Sequence, residues 1–368
     1  MSTIFEMVDE IGPEKIIHIS NHSAGLQAIV AIDNTAIGPA IGGVRMAPDV
    51  DLTECVRLAR AMSLKNAAAG LQHGGGKSVI MADPSMPVPE KERLIRAFAQ
   101  AIAQIRDYIP GPDMGTNETC MAWIRDETGR AVGLPRVIGG IPLDEIGATG
   151  HGVAVAAGVA QAFGGIALEG ARVAIQGYGA VGRHAAHCLA KEGAQIVAVA
   201  DSQGAAFYSK GFDLARLDSF KAAGQSVTSY PGADRADRDA VIMADCDILV
   251  PAARPDVITS SNAAKIKAKL VIEGANIPAT VEAEDALHRR GVLVIPDFIA
   301  NAGGVICAAV EYRGGTQKQA MTTIAEKIRE NTQDVLKIVT DDGILPRDAA
   351  NRLAKTRLCA AMAFRRGF

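Results

Sequence analysis

The chain has 368 residues, 48% of them hydrophobic, and a formal charge of −3. That length carries a prior of about two domains and allows a large core. The near balance of charge, with no basic block, argues against nucleic acid as a partner, and no apolar run of about 18 residues suggests a membrane span. In chain order, residues 28–32 read as a strand. Thr53 can cap a helix running to about Ala69, on which Leu58, Met62, Lys65 and Ala69 share one face. Residues 89–106 read as a second amphipathic helix, with Leu94, Phe98, Ala101, Ile102 and Ile105 turned inward. Pro110-Gly111-Pro112-Asp113 reads as a loop.

From about residue 150 the pattern changes. Residues 152–168 are the most apolar stretch and read as a buried helix. Residues 172–176 form a short strand, followed by a glycine turn and a helix over 181–192. A further strand covers 195–200 and ends at Asp201. Short apolar strands follow at 248–250, 270–272 and 292–295. Strands alternating with helices predict an α/β fold with a parallel sheet. The stretch after about Thr316 is helical.

Met1 to Glu10 lacks the positive start and apolar core of a signal peptide. The cysteines (55, 120, 188, 246, 307 and 359) are scattered without a CxxC pair, a pattern of reduced thiols in the cytoplasm. His184 and His187 are three apart on a predicted helix, but no Cys or carboxylate joins them at ligand spacing. No metal site is expected.

The glycine turn is Gly177-Tyr178-Gly179-Ala180-Val181-Gly182. It follows a strand, opens a helix, and has Asp201 nineteen residues beyond Gly182. That is the context of a dinucleotide fingerprint. Gly177 permits the tight turn, Gly179 lets backbone approach a pyrophosphate, and Gly182 lets helix and strand pack closely. Asp201 would accept hydrogen bonds from the adenosine ribose and disfavour a 2′-phosphate. NAD is therefore the expected cofactor, with NADP left possible by nearby Ser202 and Lys210.

Oxidation of an amino acid needs a fixed cation for the α-carboxylate, a base of lowered pKa, and a second group to exchange protons with the amine. Lys65, Lys77 and Asp113 can supply all three, because a lysine desolvated beside another cation loses its proton more easily. Taken singly, a helix lysine is usually solvated and an aspartate after Gly-Pro is usually a turn residue.

Longer stretches carry a resemblance. Gly38-Pro-Ala-Ile-Gly-Gly-Val-Arg-Met46, Met62-Ser-Leu-Lys65 through Gly74-Gly-Gly-Lys77, Gly111-Pro-Asp113-Met-Gly-Thr-Asn117, Glu273-Gly-Ala-Asn276 and Asn301-Ala-Gly-Gly304 occur in order along nearly the whole chain. They resemble the glutamate/leucine/phenylalanine/valine dehydrogenase superfamily. The resemblance implies two domains with a cleft between them: a substrate-binding and oligomerising α/β domain over 1–145, with helices of 332–368 packed back on it, and a Rossmann NAD-binding domain over 146–331. It implies Lys77 as the base acting on water and Asp113 as the proton mediator. Substrate would be bound by Lys65, Ile41, Gly42, Met62, Asn301, Val305 and Ala308. Cofactor would be bound by Thr149, Gly177, Gly179, Ala180, Val181, Gly182, Asp201, Ala252 and Asn276. It also implies a homo-oligomer acting on an amino acid, or on a 2-oxo acid and ammonia.

Glutamate dehydrogenases hold the substrate's side-chain carboxylate with a lysine and a serine at the positions of Ile41 and Ala308. Both polar anchors are missing here, and a carboxylate buried there without partners would cost several kcal/mol. An apolar side chain such as leucine, valine or phenylalanine is the expectation. Glutamate remains the alternative, since the second half resembles the glutamate branch and His73, Arg125 or Arg254 could receive an anion. A dinucleotide-binding regulator without catalysis is the remaining reading.

Overall fold

The computed structural model describes residues 4–365. The first stretch contains strands β1 (Lys15–Asn21), β2 (Leu26–Asn34) and β3 (Ala40–Ala47), helix α1 (Leu52–Ala68), β4 (Gly74–Met81), α2 (Val88–Ala101), β5 (Tyr108–Pro112) and α3 (Glu118–Thr128). The chain continues through α4 (Ala148–Gly164), β6 (Arg172–Gln176), α5 (Ala180–Lys191), β7 (Gln195–Asp201), β8 (Gly204–Phe207), α6 (Leu214–Ala222), β9 (Asp234–Ala236) and β10 (Ile248–Pro251). It ends with α7 (Ser260–Ala263), β11 (Leu270–Ile272), α8 (Val281–Arg289), β12 (Leu293–Ile295), α9 (Asp297–Ala300), α10 (Gly303–Tyr312), α11 (Gln317–Asp342) and α12 (Pro346–Met362).

Two units result. The first comprises Met1–Pro142, Val305–Ala320 and Asn351–Phe368; the second comprises Leu143–Gly304 and Met321–Ala350. The return to the first unit thus differs from a single segment starting at 332. Particular contacts explain it. The Glu311 carboxylate accepts the backbone N–H groups of Leu134 (3.1 Å) and Ile141 (2.8 Å), which holds α10 in the first unit. Arg347, at the start of α12, bridges Glu273 (2.8 Å), Glu284 (2.6 Å) and Asp297 (2.9 Å) in the second. Ten residues later Arg357 donates to the Ala68 carbonyl (2.7 Å) at the end of α1, in the first unit.

The first unit holds a five-stranded mixed sheet in the order β1-β2-β4-β3-β5. Strands β3, β4 and β5 are parallel, while β2 runs antiparallel to β4 and to β1. Residues 110–112, read as loop from their Pro-Gly-Pro sequence, form part of β5. Their register is Gly42↔Pro110 and Gly43↔Gly111. The prolines are tolerated because β5 is the sheet edge, where a missing N–H costs no ladder bond.

Helix α1 is capped by Asp51, whose side chain accepts from Glu54 N, rather than by Thr53. Its fully buried face is Cys55, Ala59, Ser63, Asn66 and Ala67; Leu58, Met62 and Lys65 lie half-buried on its flank. The small residues face β4 because the approach there is close. A Cβ added to Gly75 would overlap the backbone of Ser63. Helix α2 buries Leu94, Ile95, Phe98 and Ala99, with Ala101 exposed and Ile102 at its C-cap. It ends before Ile105.

The second unit holds a seven-stranded sheet in the order β12-β11-β10-β6-β7-β8-β9. The five strands from β12 to β7 are parallel, as the alternating pattern predicts, and β8 and β9 add an antiparallel edge. Helix α4 is the apolar helix of the sequence, with Val153, Ala156, Ala157 and Ala160 buried. The chain order reverses about β6, between β10 and β7. In sheets of this kind ligands bind beyond the carboxyl ends of the strands at such a point, which here is Gly177.

Candidate active site

Strand β4 carries Lys77 into the interior of the first unit, where it is only 6% exposed. Its ammonium forms an ion pair with the Asp113 carboxylate. Asp113 directly follows β5. Its N–H donates to Thr116 Oγ1 (3.0 Å), and that hydroxyl donates to the Val44 carbonyl (2.8 Å), so the turn is tied to β3. Gly43 on β3 supplies the room: a Cβ there would stand 2.7 Å from Asp113 Cβ and 3.1 Å from Lys77 Nζ. Beneath, the buried Tyr108 donates its hydroxyl to the Gly42 carbonyl (3.0 Å) and lies 3.0 Å from Ser78 Oγ.

Two further charges join the pair. Arg45 Nε lies 3.2 Å from Asp113 Oδ2, and its other end pairs with Glu54 on α1. Neither residue received a role from the sequence. The available signal was an arginine inside the otherwise apolar strand 40–47. Burial pushes the Lys77 pKa below the ordinary lysine value; Asp113 opposes this and Arg45 adds to it. Burial acts to raise Asp113, but the Lys77 ammonium and Arg45 outweigh it and hold the carboxyl below the usual range. The result is a lysine eased toward its neutral form beside an ionised carboxylate, the state suited to general-base work near neutral pH.

Next to this pair Ile41, Ile109, Val132 and Ala308 form one buried apolar cluster. Ile41 sits beside Gly42 in the parallel pairing of β3 with β4, and Ala308 comes from α10, with half-buried Val305 one turn before it. The structure thus brings Lys77, Asp113, Gly42, Ile41 and Ala308 into one region, with Met62 and Lys65 one turn apart on α1.

In the second unit, Gly177 has φ +99°, a left-handed conformation that favours glycine, and a Cβ on it would collide with Ala253. A Cβ on Gly182 would overlap the Gly177 carbonyl, so the helix can approach the strand this closely only with glycine. At Gly179 an added Cβ would meet open space, and no side chain caps the N-terminus of α5 there. The first N–H groups of α5, from Ala180 and Val181 onward, can therefore take a phosphate. Gly274 draws the neighbouring positions together: a Cβ on it would lie 3.2 Å from Val181 Cγ1 and 3.4 Å from Ala252 Cβ. Asn301 Nδ2 donates to Asn276 Oδ1 (3.0 Å) and to the Ala275 carbonyl (3.1 Å). Thr149 opens α4 next to Gly304, whose added Cβ would stand 3.7 Å from the Thr149 hydroxyl.

Asp201 ends β7 where the fingerprint requires it, but its carboxylate is already engaged. Oδ1 accepts from Gln203 N (2.9 Å) and Ser226 Oγ (2.9 Å), and Oδ2 accepts from Lys221 Nζ (2.8 Å) and Val227 N (3.0 Å). A ribose hydroxyl would have to displace one of these donors. Of the two helix histidines, His187 pairs with Asp218 (2.7 Å). Among the described residues no group of three or more His, Cys, Asp or Glu could hold a metal ion, no cysteine is paired, and no helix is long and apolar enough to cross a membrane.

A glycine turn at the reversal point of a parallel sheet and a buried Lys–Asp pair beside an apolar wall define a nucleotide-dependent oxidoreductase acting on a small molecule. Comparison with known proteins narrows this class. Residues 13–130 match the Glu/Leu/Phe/Val dehydrogenase dimerisation domain, and residues 139–366 match the Glutamate/Leucine/Phenylalanine/Valine dehydrogenase model. A glutamate dehydrogenase from Aeropyrum pernix is 40% identical over 90% of this chain and 85% of its own length. The hetero-hexameric glutamate dehydrogenase of Thermus thermophilus, in its Leu-bound form, superimposes with a TM-score of 0.84 at 29% identity, over 97% of this chain and 91% of that one. The L-tryptophan dehydrogenase of Nostoc punctiforme gives 0.78 at 26% identity, over 98% and 100%. The chain belongs to the glutamate/leucine/phenylalanine/valine dehydrogenase family. It is an amino-acid dehydrogenase acting on CH–NH2 donors, with NAD or NADP as cofactor.

Proposed function

We propose that this dehydrogenase oxidises an L-amino acid with an apolar side chain, reversibly, to the 2-oxo acid and ammonia. The observation that carries the reading is the cluster of Ile41, Ile109, Val132 and Ala308, which offers a side chain no charge and no hydroxyl. A glutamate carboxylate set against it would be buried without a partner, at a cost of several kcal/mol.

In this reading Lys65 holds the α-carboxylate. The bound dinucleotide supplies the hydride acceptor at the substrate's α-carbon. Loss of the α-hydride leaves a substrate iminium. Lys77, whose pKa burial lowers, acts in its neutral form to take a proton from the water that attacks the iminium carbon. Asp113 first takes a proton from the substrate ammonium, so that the amine can form the iminium, and later returns it to the amine nitrogen of the carbinolamine. The C–N bond then breaks as the carbinolamine hydroxyl proton leaves to solvent, giving the 2-oxo acid and ammonia. Asn301 orients the substrate. Gly177, Gly179, Gly182, Ala252, Asn276 and Thr149 cradle the dinucleotide. We further infer that copies of this chain assemble through the first unit, since that region matches a dimerisation domain; a monomeric mass by light scattering would overturn this.

Initial rates with a panel of L-amino acids, each with NAD and NADP, test the substrate reading. Turnover of leucine, valine or phenylalanine well above glutamate supports it. Glutamate as the main substrate, in line with the name of the Aeropyrum relative, overturns it. Ile41→Lys combined with Ala308→Ser should move preference toward glutamate, and no movement would remove the pocket assignment.

A further inference from the structure

The apolar wall has a polar end that the reaction does not use. His73 immediately precedes β4, is 3% exposed, and lies with its ring edge-on to Tyr312 at 5.7 Å between centroids. Its Nδ1 stands 3.2 Å from the Pro39 carbonyl, while its Nε2 is shielded from solvent and has no hydrogen-bond partner among the described residues. A buried polar atom without a partner calls for an explanation.

The tautomer follows from the geometry. A carbonyl only accepts, so Nδ1 carries the proton and Nε2 presents a lone pair. Burial, with the nearby Arg313 cation acting the same way, pushes the His73 pKa below the ordinary value against the pull of the Pro39 carbonyl. Both effects favour the neutral ring, and with the proton on Nδ1 the unpartnered Nε2 is an acceptor.

The place of His73 follows from the register. Gly43 makes room for the Lys77–Asp113 pair, Ile41 pairs with Gly75, and His73 lies two residues upstream of Gly75 beside Pro39. Helix α10 covers the same path. Ala308 meets Ile41, and Tyr312, one turn further on the same helix face, meets His73. His73 is four residues upstream of Lys77, one residue before β4 begins at Gly74, so an extended path between them spans about 13 Å. In the proposed binding mode, with the α-carboxylate on Lys65, a branched aliphatic side chain would end against Ile41. A large aromatic one extends toward His73.

We propose that His73 terminates the side-chain pocket and selects an aromatic amino acid whose ring carries a hydrogen-bond donor, the phenol O–H of tyrosine or the indole N–H of tryptophan. This rests on the apolar-pocket reading and sharpens it. The ring packs along Ile41 and Ala308, and its donor meets the lone pair of Nε2. A carboxylate tip is refused, because an acceptor facing an acceptor leaves both unpaired. Leucine and phenylalanine leave Nε2 unsatisfied, as in the free enzyme. A site built to hydrogen-bond a substrate group discriminates against the analogue lacking it.

The test is kcat/KM for tyrosine, tryptophan, phenylalanine, leucine and glutamate with the purified enzyme, then with His73→Phe and His73→Gln. The expected result is tyrosine or tryptophan over phenylalanine by about tenfold, the worth of one hydrogen bond. That ratio should fall to one or below in His73→Phe, which keeps an aromatic edge for Tyr312 but no acceptor. It should return in part in His73→Gln, whose amide oxygen accepts. Phenylalanine and leucine turned over as well as tyrosine and tryptophan by the wild-type enzyme would overturn the role of His73 while leaving the apolar pocket standing. The same holds for a ratio that survives in His73→Phe. Glutamate turned over in preference to all four would overturn both. The wild-type ratio needs no variant, so a misfolded substitution does not rescue the proposal.

Discussion

Each unit contains a lysine–aspartate pair, and the two have opposite surroundings. Lys77 and Asp113 sit beside a gap kept open by Gly43, with Arg45 as a second cation competing for the carboxylate. Lys221 and Asp201 sit at the end of β7, where two backbone N–H groups and the Ser226 hydroxyl complete the aspartate's partners. In the first pair it is the lysine that is buried, and its proton is loosened. In the second the aspartate is the buried member, its side chain 8% exposed against 29% for the lysine. Burial would raise the Asp201 pKa, but Lys221 and the other donors hold it below the usual carboxylate range. The same two residue types therefore give a pair suited to the proton transfers proposed above in one place and a structural clamp in the other. The number of donors around the carboxylate decides which.

Lys77→Ala should separate the pairs most sharply. Loss of a positioned base lowers kcat by about 10² to 10⁴, while dinucleotide binding, held by the second unit's own residues, should persist. Titration of reduced-dinucleotide fluorescence beside initial rates measures both. Retained turnover would remove Lys77 from the chemistry.

Asp201→Asn should act in the opposite sense. The variant loses the charge-assisted bond to Lys221 and one acceptor for a backbone N–H, a stability cost of about 1–3 kcal/mol, seen as a lower thermal midpoint at neutral pH. The sign with pH is fixed by the depressed carboxyl pKa. The wild type's advantage is fully present above the unfolded carboxylate value of about 3.9 and is lost as pH falls through the lower folded value. The ratio of NADP to NAD activity should change by less than tenfold, or about 1.4 kcal/mol. A larger change would mean that the ribose takes the carboxylate from Lys221, as the spacing of the fingerprint alone suggests.

The contrast also shows what the amino-acid pattern discloses. The glycine turn, the strand over 172–176 and Asp201 at the end of the next strand are local features, each set by a few neighbouring residues, and they were legible. So were Lys77 and Asp113 as members of one group, because their flanking glycines and prolines are unusual. The donors that saturate Asp201 come from up to 26 residues later, and no local pattern announces them. Pro110-Gly111-Pro112 looks like a loop until β3 is beside it. The buried face of α1 was misplaced because hydrophobicity marks Leu58 and Met62, whereas close approach to Gly75 selects Ala59 and Ser63.

Arg45 allows a finer test of the first pair. Its cation pushes the Lys77 pKa down and competes for Asp113. In Arg45→Met both influences vanish: the Lys77 ammonium loses a repelling neighbour and keeps Asp113 to itself. Its pKa must rise. Since the base works as the neutral amine, the rise of kcat/KM with pH should move to higher pH. At a fixed pH below that limb, each unit of displacement costs about tenfold in rate. Arg45→Lys restores a positive charge without the fork that spans Asp113 and Glu54, and should bring the limb part of the way back. The pH dependence of kcat/KM for the two variants and the wild type measures this. A limb that stays in place, or moves to lower pH, would mean that burial alone sets the lysine and that Arg45 only holds α1 to β3 through Glu54.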